Sequence, residues 1–336
     1  SIEDVDGIGV LYTKTGEYSA ILKMENPVQK YSANIDSYYE FNHLITALAQ
    51  TLGEGYAIHK QDVFVRKQFK DESNDNHEFL SESYFKYFNG RSYTDSQTYL
   101  IITQENKKSR IFSFDSKKWR DFMVKIRKVK DQLKDSGVEA SYLDGNTARE
   151  YVDRYFSMNF NDKIVSMTNF KVDEESISMG NKRCKVYSLV DVDCVSTPSI
   201  VRPFTNIEVN NVSMPVDMVS LVDSIPSADV VVYNHHASMP NPSNLIAVED
   251  IKKVQDVIAR ENKQLVYAHF NLVVGTSIDA DIQKCTNHLE NSFGRLGIHI
   301  SKRAYNQLEL FVNSFPGNCY STNPEYDRFL TLSDAA

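Results

Sequence analysis

At 336 residues, 41% hydrophobic and 24% charged, the chain has the size and composition of a globular protein that buries its own core, as one large or two ordinary domains. Its 45 acidic residues outnumber 37 basic ones for a formal charge of -8, which argues against a general phosphate-binding surface and sets nucleic acid aside as the default partner. No stretch approaches the roughly 18 to 20 uninterrupted apolar residues that span a bilayer, and the start lacks the basic-then-apolar order of a signal peptide, so any membrane contact is expected to be peripheral.

In chain order, Val5 to Thr13 and Glu17 to Met24 flank Lys14-Thr15-Gly16, a turn whose glycine suits a hairpin. Phe41, Leu44, Ile45, Leu48 and Leu52 recur at helical spacing, and Gly53 supplies a left-handed stop. Ala57 to Phe69 reads as a long strand, Asp71 to His77 as a polar loop, Glu78 to Phe88 as a helix and Thr98 to Thr103 as a buried strand. Ser116 is placed to cap the next helix, whose Trp119, Phe122, Met123, Ile126 and Leu133 form one apolar stripe before Gly137. Thr147 and Glu150 spell a capping box that predicts another helix start.

From Asn159 to Pro242 the pattern breaks into short β-rich pieces, including Lys185 to Val195 and Met214 to Val222. Beyond Pro242, Val248, Ile251, Val254 and Ile258 mark a helix, Leu265 to Val274 a strand, Ser277 to Leu296 a second helix, and about Lys302 to Asn313 a last one. The expected organisation is an N-terminal α+β subdomain over 1–158, a β-rich connecting region over 159–247 and a C-terminal α/β subdomain over 248–336. The fold class expected is α+β, with mixed or antiparallel sheets and helices packed on one face, an order that two similarly built ferredoxin-like halves would fit.

Four stretches resemble the conjugation ATPases of the TraG/VirB type used in type IV secretion. Asp4-Val5-Asp6-Gly7 and the run from Gly9 to Pro27 resemble the opening hairpin of that family, and Gly53-Glu54-Gly55 with Ala57 to Asp62 the strand after its first helix. Leu265 to Ile300 has the family's strand-helix-strand order, and Leu308 to Ala336 resembles the junction where a helix and a Pro-Gly-Asn turn, here Pro316-Gly317-Asn318, precede the motor domain. The resemblance implies a non-catalytic docking and assembly domain, cytoplasmic and peripheral to the inner membrane. Its partners would be inner-membrane channel components and its own motor domain, in a parent that forms a homo-oligomeric ring. ATP and magnesium would belong to that motor domain, outside this chain.

The residues themselves carry little catalytic signal. No Gly-x-x-x-x-Gly-Lys-Ser/Thr phosphate loop occurs, and Gly53-Glu54-Gly55 and Gly275-Thr276-Ser277 read as helix boundaries, so no cofactor and no ATP hydrolysis are expected of this chain. Cys285 and His288, with His269 nearby, have a spacing that suits zinc, but Cys285 lies on an apolar stripe and reads as core. Asp71, Ser73, Asp75 and Glu82 approximate a calcium loop without its glycine. His235-His236 beside Pro240-Asn241-Pro242 reads as loop surface. Cys184, Cys194, Cys285 and Cys319 form no Cys-x-x-Cys pair, which fits a reducing compartment without disulfides.

Two alternatives to docking follow from local patterns. Asp191 and Asp193 share one strand face, as a metal-dependent nuclease or phosphotransferase would need. Lys117, Lys118, Arg120, Lys125, Arg127, Lys128, Lys130 and Lys134 make one helix the concentrated basic surface of the chain, open to an acidic protein, lipid headgroups or a nucleic-acid strand.

Overall fold

Most of the strands are apolar on both faces, as sheets covered on both sides require. The computed structural model of the chain describes residues 1–14, 16–25, 35–70, 79–106, 114–161, 169–189, 204–209, 212–239, 265–295, 300–301, 305–318 and 329–332. The chain opens with β1 (Ile2–Val5), β2 (Ile8–Tyr12) and β3 (Tyr18–Met24), then α1 (Ile35–Leu52), β4 (Tyr56–Gln68), α2 (Phe79–Phe88), β5 (Ser92–Gln104), α3 (Ser116–Asp135), β6 (Ala140–Tyr142) and α4 (Gly145–Ser157). There follow β7 (Phe170–Val172), β8 (Ile177–Met179), β9 (Lys182–Leu189), the hairpin β10 (Phe204–Val209) and β11 (Val212–Asp217), α5 (Met218–Asp223) and β12 (Ala228–Ser238). The last elements are β13 (Leu265–Ser277), α6 (Ile282–Arg295), β14 (Ile300–Ser301), α7 (Gln307–Asn313) and β15 (Phe329–Leu332).

The protein is α+β. Among the described residues thirteen strands join one antiparallel sheet, with β10 and β11 apart. Two units of the same plan lie side by side in it. In the first, β6, β3, β5 and β4 are neighbours in that order, with α1 between β3 and β4 and α3 between β5 and β6. In the second, β14, β9, β13 and β12 are neighbours in the matching order, with α5 and α6 in the matching connections. Each is the β-α-β-β-α-β arrangement of ferredoxin-like folds, preceded by a meander, β1-β2 or β7-β8, and followed by a further helix, α4 or α7. β9 and β12 come from the 159–247 stretch, so those residues supply two strands of the second unit as well as a connection. The units meet where β4 pairs with β12, the same strand of each plan.

Side-chain alternation sorts the core into two layers. Ala20, Leu22, Ile58, Leu100, Ile102, Leu272 and Val274 face α1, α3 and α6 through Leu48, Phe122, Ile126, Leu289 and Phe293. Ile21, Val63, Ile101, Val186, Val232 and Val273 face Tyr151 and Tyr155 of α4 and Phe311 of α7. The helices are therefore not confined to one face as expected. Because Val63-Phe64-Val65 and their neighbours are apolar on both sides, the second face also needs a cover, which α4 and α7 provide.

Local chemistry moves several predicted boundaries. The N-cap of α3 is Asp115, one residue before the expected Ser116, with Oδ1 accepting from the backbone N–H of Lys117 at 2.9 Å and Lys118 at 3.3 Å. Asp144 caps α4 in the same way, accepting from Asn146 and Thr147 at 2.9 and 2.8 Å, which places the expected Thr147 box inside the first turn. α6 starts at Ile282 rather than near Ser277, because β13 continues to that residue. α7 starts at Gln307, not near Lys302, and ends at Asn313 as predicted.

α7 and the turn after it form a strap across the α4 face. At one end the Gln307 carboxamide accepts from Val186 N–H at 2.7 Å and donates to Val186 O at 3.0 Å, acting as a strand partner where β9 has an open edge. In the middle the Tyr155 hydroxyl donates to Phe311 O at 2.9 Å, and Phe311 stacks on Tyr155 at 5.0 Å. At the far end Gly317, at φ 89°, lies over β3 of the first unit, where a Cβ would come within 2.7 Å of Ser19 Oγ.

A close backbone approach also fixes α4 against β2. Gly9 N–H donates to Leu143 O at 2.7 Å, and a Cβ on Gly9 would stand 2.5 Å from Asp144 O and 2.9 Å from Ala148 Cβ. Gly9→Ala is expected to cost about 1 to 3 kcal/mol through overpacking, read as a lower midpoint in urea unfolding with an unchanged slope.

Candidate functional site

The central strands break the apolar pattern at one level. His59-Lys60-Gln61-Asp62 on β4, Tyr233-Asn234-His235-His236 on β12 and His269-Phe270-Asn271 on β13 are flanked by apolar residues such as Val63 and Val65, Val230 to Val232, and Val273 and Val274. Strand register then aligns them. His59 pairs with His236, which pairs with His269, and Gln61 pairs with Asn234, which pairs with Asn271. All six point to the α4 face and are buried.

Their hydrogen bonds run in one direction. The Tyr151 hydroxyl of α4 donates to Gln61 Oε1, and Gln61 Nε2 donates to Asn234 Oδ1 at 2.7 Å. Asn234 Nδ2 donates to Asn271 Oδ1 at 2.8 Å, and Asn271 Nδ2 contacts both His269 Nε2 at 2.9 Å and Ser314 Oγ at 2.8 Å. Ser314 Oγ donates to Leu310 O at 2.7 Å. His59 Nε2 lies 3.0 Å from Asn234 Oδ1, an acceptor, so this nitrogen carries the hydrogen. The chain of amides links α4, both units and the strap.

The opposite face of the same strands is polar in a different way. Lys60 Nζ donates to Asp62 Oδ2, Asp62 Oδ1 accepts from Thr98 Oγ1 at 2.8 Å, and both charged groups are buried. His235 stacks on Phe270 at 4.9 Å. The His235-His236 pair is thus not loop surface. β12 runs on to Ser238, so the Pro240-Asn241-Pro242 cluster that suggested a loop falls just after the strand.

The other predicted candidates do not assemble. Cys285 donates its Sγ–H to Pro226 O at 2.9 Å in the first layer, burial pushes its thiol pKa up, and His288 sits outside against Ser224 Oγ at 2.9 Å. His269 lies on the other side of the sheet from both. Among the described residues no group of three or more His, Cys, Asp or Glu is arranged to hold a metal. Asp191, Asp193, Asp71, Ser73, Asp75, Cys194 and Cys319 lie outside the described residues, while Cys184 and Cys285 are free thiols. Gly53 and Gly55 form the turn after α1, both at positive φ, whereas Gly275 lies inside β13 and bounds no helix.

The basic helix is α3, and its contacts divide the eight cations. Lys125 Nζ donates to Leu52 O at 2.6 Å, pairs with Asp121 at 3.3 Å and lies 4.3 Å from the Tyr56 ring centroid. Arg127 pairs with Asp6 at 2.9 Å, Lys130 covers the Tyr142 ring, Lys118 reaches Asn106 and Arg120 folds back to Ser116 O. Lys117, Lys128 and Lys134 are exposed, as are Val124 on the same helix and Phe114 just before it. No helix among the described residues is long and apolar enough to cross a membrane. In comparisons with known protein families and with curated proteins, the sequence matches none.

Asn234 is the hub of the seam, a role no spacing rule pointed to, since its partners come from two strands, β4 and β13, one of them far away in sequence. Asn234→Leu keeps the number and branching of the side-chain heavy atoms but strands Gln61 Nε2, His59 Nε2 and Asn271 Oδ1, each at about 1 to 3 kcal/mol. A loss of more than about 3 kcal/mol in urea unfolding is expected, against less than about 0.5 kcal/mol for an exposed control such as Lys117→Ala.

Proposed function

We propose that this chain is the non-catalytic docking and assembly domain of a TraG/VirB-type conjugation ATPase, acting in DNA or protein export through a type IV secretion channel. Support comes from the order of elements: the stretches that carry the resemblance correspond to the β2–β3 hairpin, β4 after α1, the β13–α6–β14 unit, and α7 with its Pro316-Gly317-Asn318 turn. The single observation that carries the reading is that this turn is packed onto the sheet by a strap spanning both units. Movement of a segment attached there would reach the whole platform. In this reading the platform seats against an inner-membrane channel component on the cytoplasmic side, and ATP and magnesium act in the motor domain of the parent. The exposed cations Lys117, Lys128 and Lys134 supply the basic side of that contact, for an acidic protein partner.

Calorimetric titration of the chain with magnesium-ATP is expected to give no binding heat, and micromolar affinity would overturn the reading. Lys117, Lys128 and Lys134 replaced together by Glu should leave urea stability nearly unchanged, because all three are surface positions. The same replacement should abolish co-purification of the full-length parent with its channel complex from detergent-solubilised inner membranes. Undiminished co-purification would remove α3 from the interface.

A further inference from the structure

The imidazole row in the seam has features that its bonds leave unexplained. His236 is 4% exposed, yet neither of its ring nitrogens has a partner, and His59, 1% exposed, lacks one at Nδ1. Buried polar atoms are nearly always bonded, so two such neighbouring rings mark a specialised place. Their centroids are 3.8 Å apart with planes tilted by 33°, and His269 lies 5.7 Å beyond His236. With the hydrogen of His59 on Nε2, its Nδ1 holds a bare lone pair, the atom to which a proton would add.

The surroundings offer such a proton no compensation. Facing the row are Gln61 from β4, Tyr99 from β5, Asn234 from β12, His269 and Asn271 from β13, Tyr151 and Tyr155 from α4, and Ser314 after α7. His235, next along β12, points to the other layer, as does Asp62, already held by Lys60 and Thr98. Asp95 of β5 and Arg154 of α4 lie on this face near Tyr99, but Asp95 is held by Lys67 at 2.8 Å. Among the described residues no carboxylate bonds to His59 or His236, and a second proton would sit beside the first. Relief requires water, and the smallest element over this face is the strap, tied to the row through Asn271 and Ser314.

We propose that the His59–His236 row is a proton-sensitive latch: neutral, it lets the α7 strap close over the seam between the two units, and protonation in mildly acidic surroundings releases the strap. Burial pushes His59 down to about 3, against the raising effect of its hydrogen bond with Asn234 and with His269 lowering it further. Burial also pushes His236 well below its ordinary value, with the charges of His59, His269 and His235 adding to the effect. Both folded values lie below the unfolded value of about 6.5, so the open form binds more protons between the two. The closed form is therefore fully favoured above pH ~6.5 and loses ground as pH falls below it, about tenfold per pH unit for each histidine.

Hydrogen exchange of the full chain, corrected for intrinsic rates, tests this independently of the docking reading. At pH 5.5, against pH 7.5, amides of residues 307–318 and of β12 should lose about tenfold to hundredfold in protection, while those of β5 and α3 keep theirs. His236→Leu should shrink that loss of strap protection by about tenfold, leaving at most the share of His59. Equal protection of the wild-type strap at both pH values, or an unchanged loss in His236→Leu, would overturn the latch. If that variant does not fold, NMR titration of the wild-type imidazoles decides. Charging of the row together with loss of strap protection supports the latch, and titration near pH 6.5 with the strap still protected refutes it.

Discussion

The antiparallel pairing of β4 with β12 holds the two units in one sheet, and its register is a physical problem in itself. The nine pairs from Val230 with Val65 to Ser238 with Ala57 lie in the middle of the molecule, where strands apolar on both faces could slip by two residues with little loss of burial. The amide network removes that freedom. Gln61 and His59 both converge on Asn234, so any other register leaves buried donors without acceptors. The polar band weakens the core locally and makes one alignment distinctly better than its neighbours, the best-attested use of buried polar groups.

The two faces of the band handle polarity by different means. On the α1–α3 side charge is tolerated because Lys60 and Asp62 neutralise each other and Thr98 satisfies the remaining oxygen. On the α4–α7 side every bonded partner is neutral, and order comes from the direction of donation, from Tyr151 through three amides to Ser314. Tyr155, Phe311, Phe156 and Phe315 seal this side with stacked and edge-on rings, Tyr155 and Phe311 at 5.0 Å and Phe156 and Phe315 at 4.7 Å. A layer so built is stable only while it stays uncharged.

Much of the architecture was legible in the chain. Helical spacing located α1 with its Gly53 stop and α3 with its apolar stripe, and long apolar runs located β4, β5 and β13, because those elements bury a regular face. The repeated plan was suggested by element order alone. What was not legible depends on distance in sequence. Nothing near His235-His236 indicates that a strand over 160 residues earlier pairs with it, so adjacent prolines outweighed the strand signal. The caps shifted because the carboxylates of Asp115 and Asp144, which precede the expected hydroxyls, accept the free N–H groups. The basic helix was recognised, but sequence spacing does not reveal that Lys125 already caps Leu52 O or that Arg127 holds Asp6.

The matching plan of the two units bears on where the band sits. When two similar units join through the same strand, the residues nearest their approximate two-fold axis face their own counterparts, and like meets like. Identical charges there would repel, and identical apolar side chains would leave the register loose. Carboxamides and neutral imidazoles suit such an axis because each donates and accepts at once. Gln61 faces Asn234 and His59 faces His236 on rungs two residues apart, of which such an axis can pass through only one. The amide pair is bonded, while the imidazole pair is in tilted ring contact without a bond between the rings, so the two rungs differ in what they demand. Amides hold register at any physiological pH, whereas imidazoles tolerate the axis only as long as neither takes a proton. One seam thus contains a permanent fastening and a conditional one, both connected through Asn271 and Ser314 to the segment that crosses both units.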